Sequence, residues 1–218
     1  MTTNRRAMDV CRASTLGMCT IILALVTTGC GLFGPTPQQR VQQAGDLQDS
    51  IEKRATFLEL AAEPHPAMRP ELQRLLHEDR DPTIRALAAE ALGRLGTQQD
   101  AQSLRRAVRN DPHWLVRKRA LTRLSRILEA QVTKDLTYVL QNDPNALVRA
   151  EATNQALMRS GEQDLYPVLM QALEDRSAAV RLLACLELQT LTGGSLPPAR
   201  GPWQTYLNRS GLLENGGQ

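Results

Sequence analysis

Between residues 66 and 193, apolar and polar positions follow a helical spacing that breaks at regular intervals. Sliding the chain by 32 residues lays the pattern on itself. Ile84, Val116, Val148 and Val180 form one apolar column, and Ala88, Ala120, Ala152 and Ala184 a second, four residues on. Leu92, Leu124, Ala156 and Leu188 follow four further, so the three columns share one helical face. A shorter stripe precedes each of these: Leu72, Leu104, Leu136 and Val168, followed at i+4 by Leu76, Val108, Leu140 and Ala172. The spacing predicts first helices near 67–77, 98–109, 131–141 and 163–173 and second helices near 82–95, 114–128, 145–159 and 177–192. One two-helix unit buries too little alone, so its core forms only by stacking. The expected fold is all-α, an α-solenoid.

Two polar columns run through the turns. Asp79, Asp111, Asp143 and Asp175 stand six residues before Arg85, Arg117, Arg149 and Arg181. An Asp in the turn can accept orphan backbone N–H groups of the second helix. The Arg, in the first turn of that helix, can reach an Asp of its own or a neighbouring unit. Copies in every repeat point to architecture, a ladder of charge pairs, rather than catalysis. Before the first clear copy, Ser50 to Ala62 carries Ile51, Ala55, Leu58 and Ala62 on one stripe, with Lys53-Arg54, and reads as a degenerate first repeat.

The motif Asp-x-x-x-x-(Val/Ile)-Arg-x-x-Ala, with Ala91-Leu92-Gly93-Arg94-Leu95-Gly96, resembles HEAT repeats over about residues 66–193. It is most similar to the HEAT-like repeats of the phycobiliprotein-lyase type. The resemblance implies a right-handed superhelix of stacked helix pairs, second helices lining the concave face, and protein binding as the usual task. It also implies an enzymatic alternative, an accessory or lyase-type enzyme, for which the sequence offers no residue to nominate. A purely structural envelope component is a third possibility.

The start of the chain is of another kind. Arg5, Arg6 and Arg12 precede an apolar run, Cys19 to Val26, too short for the roughly 20 residues that a bilayer span needs. This reads as a signal peptide. Thr27-Thr28-Gly29-Cys30 resembles a bacterial lipoprotein lipobox, although Thr27 stands where an aliphatic residue is usual. The resemblance implies lipidation at Cys30, and Gly31 resembles the default for outer-membrane sorting. The expected organisation is a lipoprotein signal peptide at 1–29, a flexible tether at 30–48, a HEAT-like repeat domain at 49–193 and a C-terminal cap and tail at 194–218. In that tail Trp203 and Leu207 are expected to cover the open end of the last repeat. The expected location is a lipid-anchored site at the outer membrane, facing the periplasm.

Composition narrows the chemistry. With 42% hydrophobic but only 3% aromatic residues, the core must be Leu, Ala, Val and Ile, which suits stacked helices better than a β-sandwich. Residues 1–29 hold three Arg and one Asp, so their removal lowers the formal charge from +3 to +1, giving no global case for nucleic acid. Cys185 remains as a single thiol expected to fill space in a repeat helix, which excludes a disulfide framework. His65, His77 and His113 are scattered, no metal-ligand spacing occurs, and no cofactor is indicated.

One stretch departs from this neutrality. Residues 105–126 hold eight Arg and Lys against one acid, Asp111. Arg119, Arg123 and Arg126 share a helix face, with Arg117 and Trp114 nearby, and Trp114 stands where other repeats carry Pro82, Ala146 and Ala178. One account is a solvated helix face. The other is a contact surface for an acidic protein or anionic lipid headgroups, since Arg and Trp are favoured at binding hot spots. The sequence thus predicts a non-catalytic, exported scaffold for protein–protein interaction.

Overall fold

The computed structural model describes residues 34–47, 50–128, 132–158 and 165–213, and falls into two compact units, 1–40 and 41–218. The expected signal peptide, Cys30 and the first residues of the expected tether lie outside the described residues. In the first unit, Thr36 and Gln39 cap each other's backbone N–H groups at 2.9 and 3.3 Å, opening α1 (Pro37–Asp46).

The second unit is helical throughout, with no strand among the described residues. After α2 (Ser50–Ala62) come four helix pairs: α3 (Arg69–Glu78) with α4 (Pro82–Leu95), α5 (Gln98–Asn110) with α6 (Trp114–Leu128), α7 (Thr133–Asn142) with α8 (Ala146–Leu157), and α9 (Tyr166–Ala172) with α10 (Ala178–Thr192). A last helix, α11 (Arg200–Arg209), follows. The second helices stack in one layer, α2 on α4, α4 on α6, α6 on α8 and α8 on α10. Among the described residues no helix is long and apolar enough to cross a membrane.

Local chemistry sets the boundaries. Thr97 and Asp100 form a capping box that starts α5, and Asp81 and Asn145 accept N–H groups at the starts of α4 and α8. Gly96 (φ 68°) and Gly193 (φ 70°) end α4 and α10 in the left-handed conformation that glycine adopts without strain. The apolar columns make the core: Ile84, Val116, Val148, Val180 and the alanines four residues later are inaccessible. Trp203 and Leu207 of α11 are buried too, as is the free thiol of Cys185.

The structure corrects two expectations. The stripe Ile51, Ala55, Leu58, Ala62 does lie on one face of α2, but that face is open, with Leu58 63% exposed. The residues α2 buries are Phe57, Leu60 and Ala61, because the repeat register places Phe57 with Ala89 and Leu121, and Leu60 with Leu92 and Leu124. Neighbouring repeats, rather than the apolar spacing inside one helix, decide which face is covered. The second correction concerns the Asp column. Asp79, Asp111 and Asp143 are the C-caps of the first helices. Each accepts the N–H two residues on, at 2.8 Å, from Asp81, His113 and Asn145. Those three residues, not the column itself, sit at the start of the second helix, so the column shapes the turn.

Candidate functional site

The most regular polar structure links the turns. Arg85 donates through Nε and Nη2 to both oxygens of Asp111 in the next repeat, at 2.8 and 2.9 Å. Arg117 grips Asp143 the same way at 2.7 and 2.9 Å, and Arg149 grips Asp175 at 2.7 and 2.9 Å. The remaining nitrogen, Nη1, turns back to two carbonyls of its own turn: Asp79 and Arg80 for Arg85, Asp111 and Pro112 for Arg117, Asp143 and Pro144 for Arg149. Bidentate pairing to a carboxylate is the strongest use of a guanidinium. These hydrogen bonds hold all three guanidiniums above their ordinary pKa, against the opposing effect of burial. Burial alone would raise Asp175, but bonds from Arg149 and the Ser177 N–H hold it below the usual carboxylate range. At the front of the row Lys53, in the column of the arginines, reaches Asp79 at 2.8 Å. At the far end Arg181, among the described residues, bonds only the carbonyls of Asp175 and Arg176.

A second set of carboxylates ties the first helices together. Asp100, fully buried, accepts from Arg69 at 2.9 Å. Asp135 accepts from Arg105 at 3.0 Å and from Arg109 at 3.3 Å, while the Arg109 guanidinium lies 4.7 Å from the Tyr138 ring centre. The sequence reading missed these pairs, since their spacings of 30, 31 and 26 residues do not make one column.

On the open face of the second helices lies a groove of about 250 Å³. Its apolar lining comes from Leu58, Ala61 and Ala62 of α2, Ala86 and Leu87 of α4, and Leu115 of α6. Thr83, Glu90, Arg94 and Arg119 supply the polar lining. Glu90 is the hub, held by Arg123 through Nε at 2.8 Å and through Nη2, by Arg94 at 3.3 Å, and approached by Arg119 at 4.0 Å. Burial would raise its pKa, but those three arginines together hold it below the usual range. Arg94 also donates to the Ala62 carbonyl at 2.8 Å, satisfying an orphan acceptor at the end of α2. The close approach of α4 and α6 needs Gly93, because a Cβ there would fall on the stem of Arg123.

The basic stretch is thereby divided. Arg117 is buried in the row of rungs and Arg123 is bound to Glu90, with side-chain exposures of 9% and 13%. Arg105 and Arg109 serve Asp135, and Lys118 faces Glu151 at 3.6 Å. Arg119 keeps 56% of its side chain exposed at the groove, and Arg126 is exposed one helical turn beyond Arg123. Trp114 is half-buried against the core and stacked on His113, with centroids 5.9 Å apart. Leu87 and Glu90, which shape the groove, were not singled out from the sequence, and Leu58 was placed on a stripe expected to pack in the first repeat rather than to line a groove. The signal was the column Leu58, Glu90, Thr122, Asn154, Leu186, which conserves no character from repeat to repeat and therefore belongs to no shared core. Among the described residues no three His, Cys, Asp or Glu side chains come together as a metal site.

These features define an α-solenoid whose second helices share an open, grooved face. Residues 38–125 and 133–199 match the family of HEAT repeats, and the chain belongs to that family. Among solved structures it is similar to the complex of CpcE and CpcF of phycocyanin lyase from Nostoc sp., with a TM-score of 0.51 and 17% identity. That match covers 76% of this chain and 68% of the other, and the likeness shows the fold alone. No curated protein matches the sequence.

Proposed function

We propose that this protein is a non-catalytic interaction scaffold, exported and lipid-anchored at Cys30, which captures a protein partner on the open face of its second helices. The observation that carries the scaffold reading is the groove itself. It has an apolar floor at Leu58, Leu87 and Leu115, with the Arg94 and Arg119 side chains, 45% and 56% exposed, at its polar side. Such a surface suits an acidic segment carrying an apolar anchor, because exposed cations speed and select an acidic partner while the apolar contact slows its release. The anchor rests on the basic start, the apolar run and Thr27-Thr28-Gly29-Cys30, and Gly31 favours the outer membrane.

The test is a photo-crosslinking residue placed at Leu58 or Leu115 in the full-length protein in intact cells, with the same residue at exposed Gln102 of α5 as control. A partner trapped at the groove positions and not at Gln102 supports the proposal; equal trapping, or none, overturns it. The likeness to a phycocyanin lyase complex favours a second reading, an accessory or lyase-type enzyme. A tetrapyrrole retained by the protein as purified from its native cells would support that reading over the first.

A further inference from the structure

The rungs that join consecutive repeats stop at Arg181. Like Arg85, Arg117 and Arg149, it fixes its Nη1 on two carbonyls of its own turn, those of Asp175 and Arg176, at 2.8 and 3.4 Å. In the other three, Nε and Nη2 then close on the carboxylate of the following repeat. For Arg181 those two donors have no acceptor among the described residues, because the next position in the Asp column is Leu207.

The helix that carries Arg181 is open on the same side. Contacts at two junctions show which positions of a second helix meet the next one. Glu90 meets Arg123, Lys118 meets Glu151, and Thr122 also meets Glu151 at 2.8 Å. Shifting Lys118 by two repeats, and Glu90 by three, leads to Leu182 and Leu186. In the three preceding repeats these positions are polar or small (Ala86, Lys118 and Ala150; Glu90, Thr122 and Asn154), whereas the two leucines are large, apolar and 53% and 50% exposed. The segment after α10 covers a different strip: Cys185 and Gln189 donate to the Leu196 carbonyl at 3.2 and 3.3 Å, and Tyr206 to the Thr192 carbonyl. An oriented guanidinium fork and two leucines one turn apart therefore form an unfinished stacking edge.

We infer that this edge docks an amphipathic helix of another protein, one entered through a turn whose Asp or Glu carboxylate closes on Nε and Nη2 of Arg181. This surface is separate from the groove. Charge and register argue for that occupant over a second copy of the chain. In α2, the helix a second copy would offer, the column of Arg123 and Gln155 holds exposed Glu59, which would lie against the leucines, and the Asp column holds Leu47.

The probe is a labelled peptide of residues 142–158 bearing Glu151→Leu and Gln155→Leu, so that Asp143 can reach the fork and two leucines face Leu182 and Leu186. Its binding to the full-length protein is followed by fluorescence anisotropy. The peptide is expected to bind, and Asp143→Asn in it to weaken binding about tenfold or more, as loss of a charge-assisted pair does. Arg181→Lys, which keeps the charge and loses the fork, should cost a similar factor. The two changes together should cost no more than either alone. Leu182→Ser, at an exposed position, should weaken binding with helix content unchanged, and it carries the test if Arg181→Lys fails to fold. Equal binding of the Asp and Asn peptides, or no binding at the highest soluble concentration, overturns the inference. So does self-association in sedimentation that Arg181→Lys abolishes, since the edge would then belong to a second copy.

Discussion

Arg117 takes the carboxylate of Asp143 edge-on, Nε to Oδ2 at 2.7 Å and Nη2 to Oδ1 at 2.9 Å, with side chains 9% and 4% exposed. Asp143 belongs to the next repeat and at the same time accepts the Asn145 N–H of its own turn. One residue pair thus joins a helix start to the following turn, and the geometry recurs at Arg85–Asp111 and Arg149–Asp175. A buried pair of this kind is costly to break from one side, because the survivor keeps its desolvation cost without its partner. Arg117→Met is expected to lower stability by about 3 kcal/mol in urea denaturation. Adding Asp143→Leu should recover part of that loss. A single variant as stable as wild type would show that the pair adds nothing.

Gly93 sets a second expectation, with an unusual sign. In an exposed helix interior, Gly→Ala stabilises by about 1 kcal/mol through helix propensity. Here the added Cβ would land on Cβ, Cγ and Cδ of Arg123, whose guanidinium is bound to Glu90. Gly93→Ala is therefore expected to destabilise, by about 1–3 kcal/mol, as overpacking does. In an Arg123→Gly background, which removes all three of those atoms, the same change should lose its cost. A double-mutant cycle of melting temperatures measures this, and additive effects would place the strain elsewhere.

Much of this fold could be read from sequence because stacking repeats the same demand at the same period. The apolar columns, the Asp and Arg columns and Lys53 in place of an arginine all follow from it. What could not be read is set by single encounters. Glu90 and Arg123 meet because glycine at 93 lets two helices close, and no other repeat uses Arg at that column, where Gln155 and Glu187 stand. Asp100 and Asp135 likewise draw arginines from different positions of the preceding helix. For the same reason the basic stretch looked uniform: its charges are sorted by carboxylates that lie up to 33 residues away in sequence.

Acid and base should act on this protein through two opposite carboxylates. Asp175 titrates below its ordinary range in the fold. A lowered folded pKa contributes stability above the unfolded value, and that contribution is lost as pH falls through the folded one. Glu187, 5% exposed, is pushed upward by burial. Its penalty grows as pH rises from the unfolded to the folded value and is full above both. Glu187→Gln is expected to stabilise at pH 7, on the order of 1 kcal/mol for relieving a buried charge, and to lose that gain below the ordinary carboxylate range. Asp175→Asn should do the reverse. Melting curves from pH 3 to 8 check both signs.

The lipid anchor gives a simpler test. If Cys30 carries the lipid, Cys30→Ser should leave the protein unprocessed or released from membranes, since stable attachment takes two or more acyl chains. Cell fractionation with intact-mass measurement reads both outcomes. Retention of a mature-mass Cys30→Ser protein on membranes would remove lipidation from the proposal.

The last expectation separates the arginines that hold the fold from those free to bind. Arg117 and Arg123 share one helix with Arg119 and Arg126, yet their heads are engaged by Asp143 and Glu90. Reversing Arg123 to Glu would set it against Glu90 and leave two carboxylates facing each other, so lost binding would come with lost structure. Arg119 is different. Its head stands 4.0 Å from Glu90 and its side chain is more than half exposed, at a groove whose floor includes Leu58 and Leu115. Arg119→Glu is expected to keep helix content and melting temperature while reducing capture of an acidic partner, with an effect that shrinks at high salt. Leu58→Asp, at a site already exposed, should weaken capture by about 2 kcal/mol if the leucine seats the apolar anchor, and that loss should persist in salt. Arg126→Glu lies off the groove lining and serves as the control for charge alone. The partner trapped by crosslinking at Leu58 is the ligand for these measurements, in pull-downs at two salt concentrations. Equal losses for Arg119→Glu and Arg126→Glu would mean a diffuse basic surface. Undiminished capture by Arg119→Glu and Leu58→Asp together would take the groove out of the binding reaction altogether.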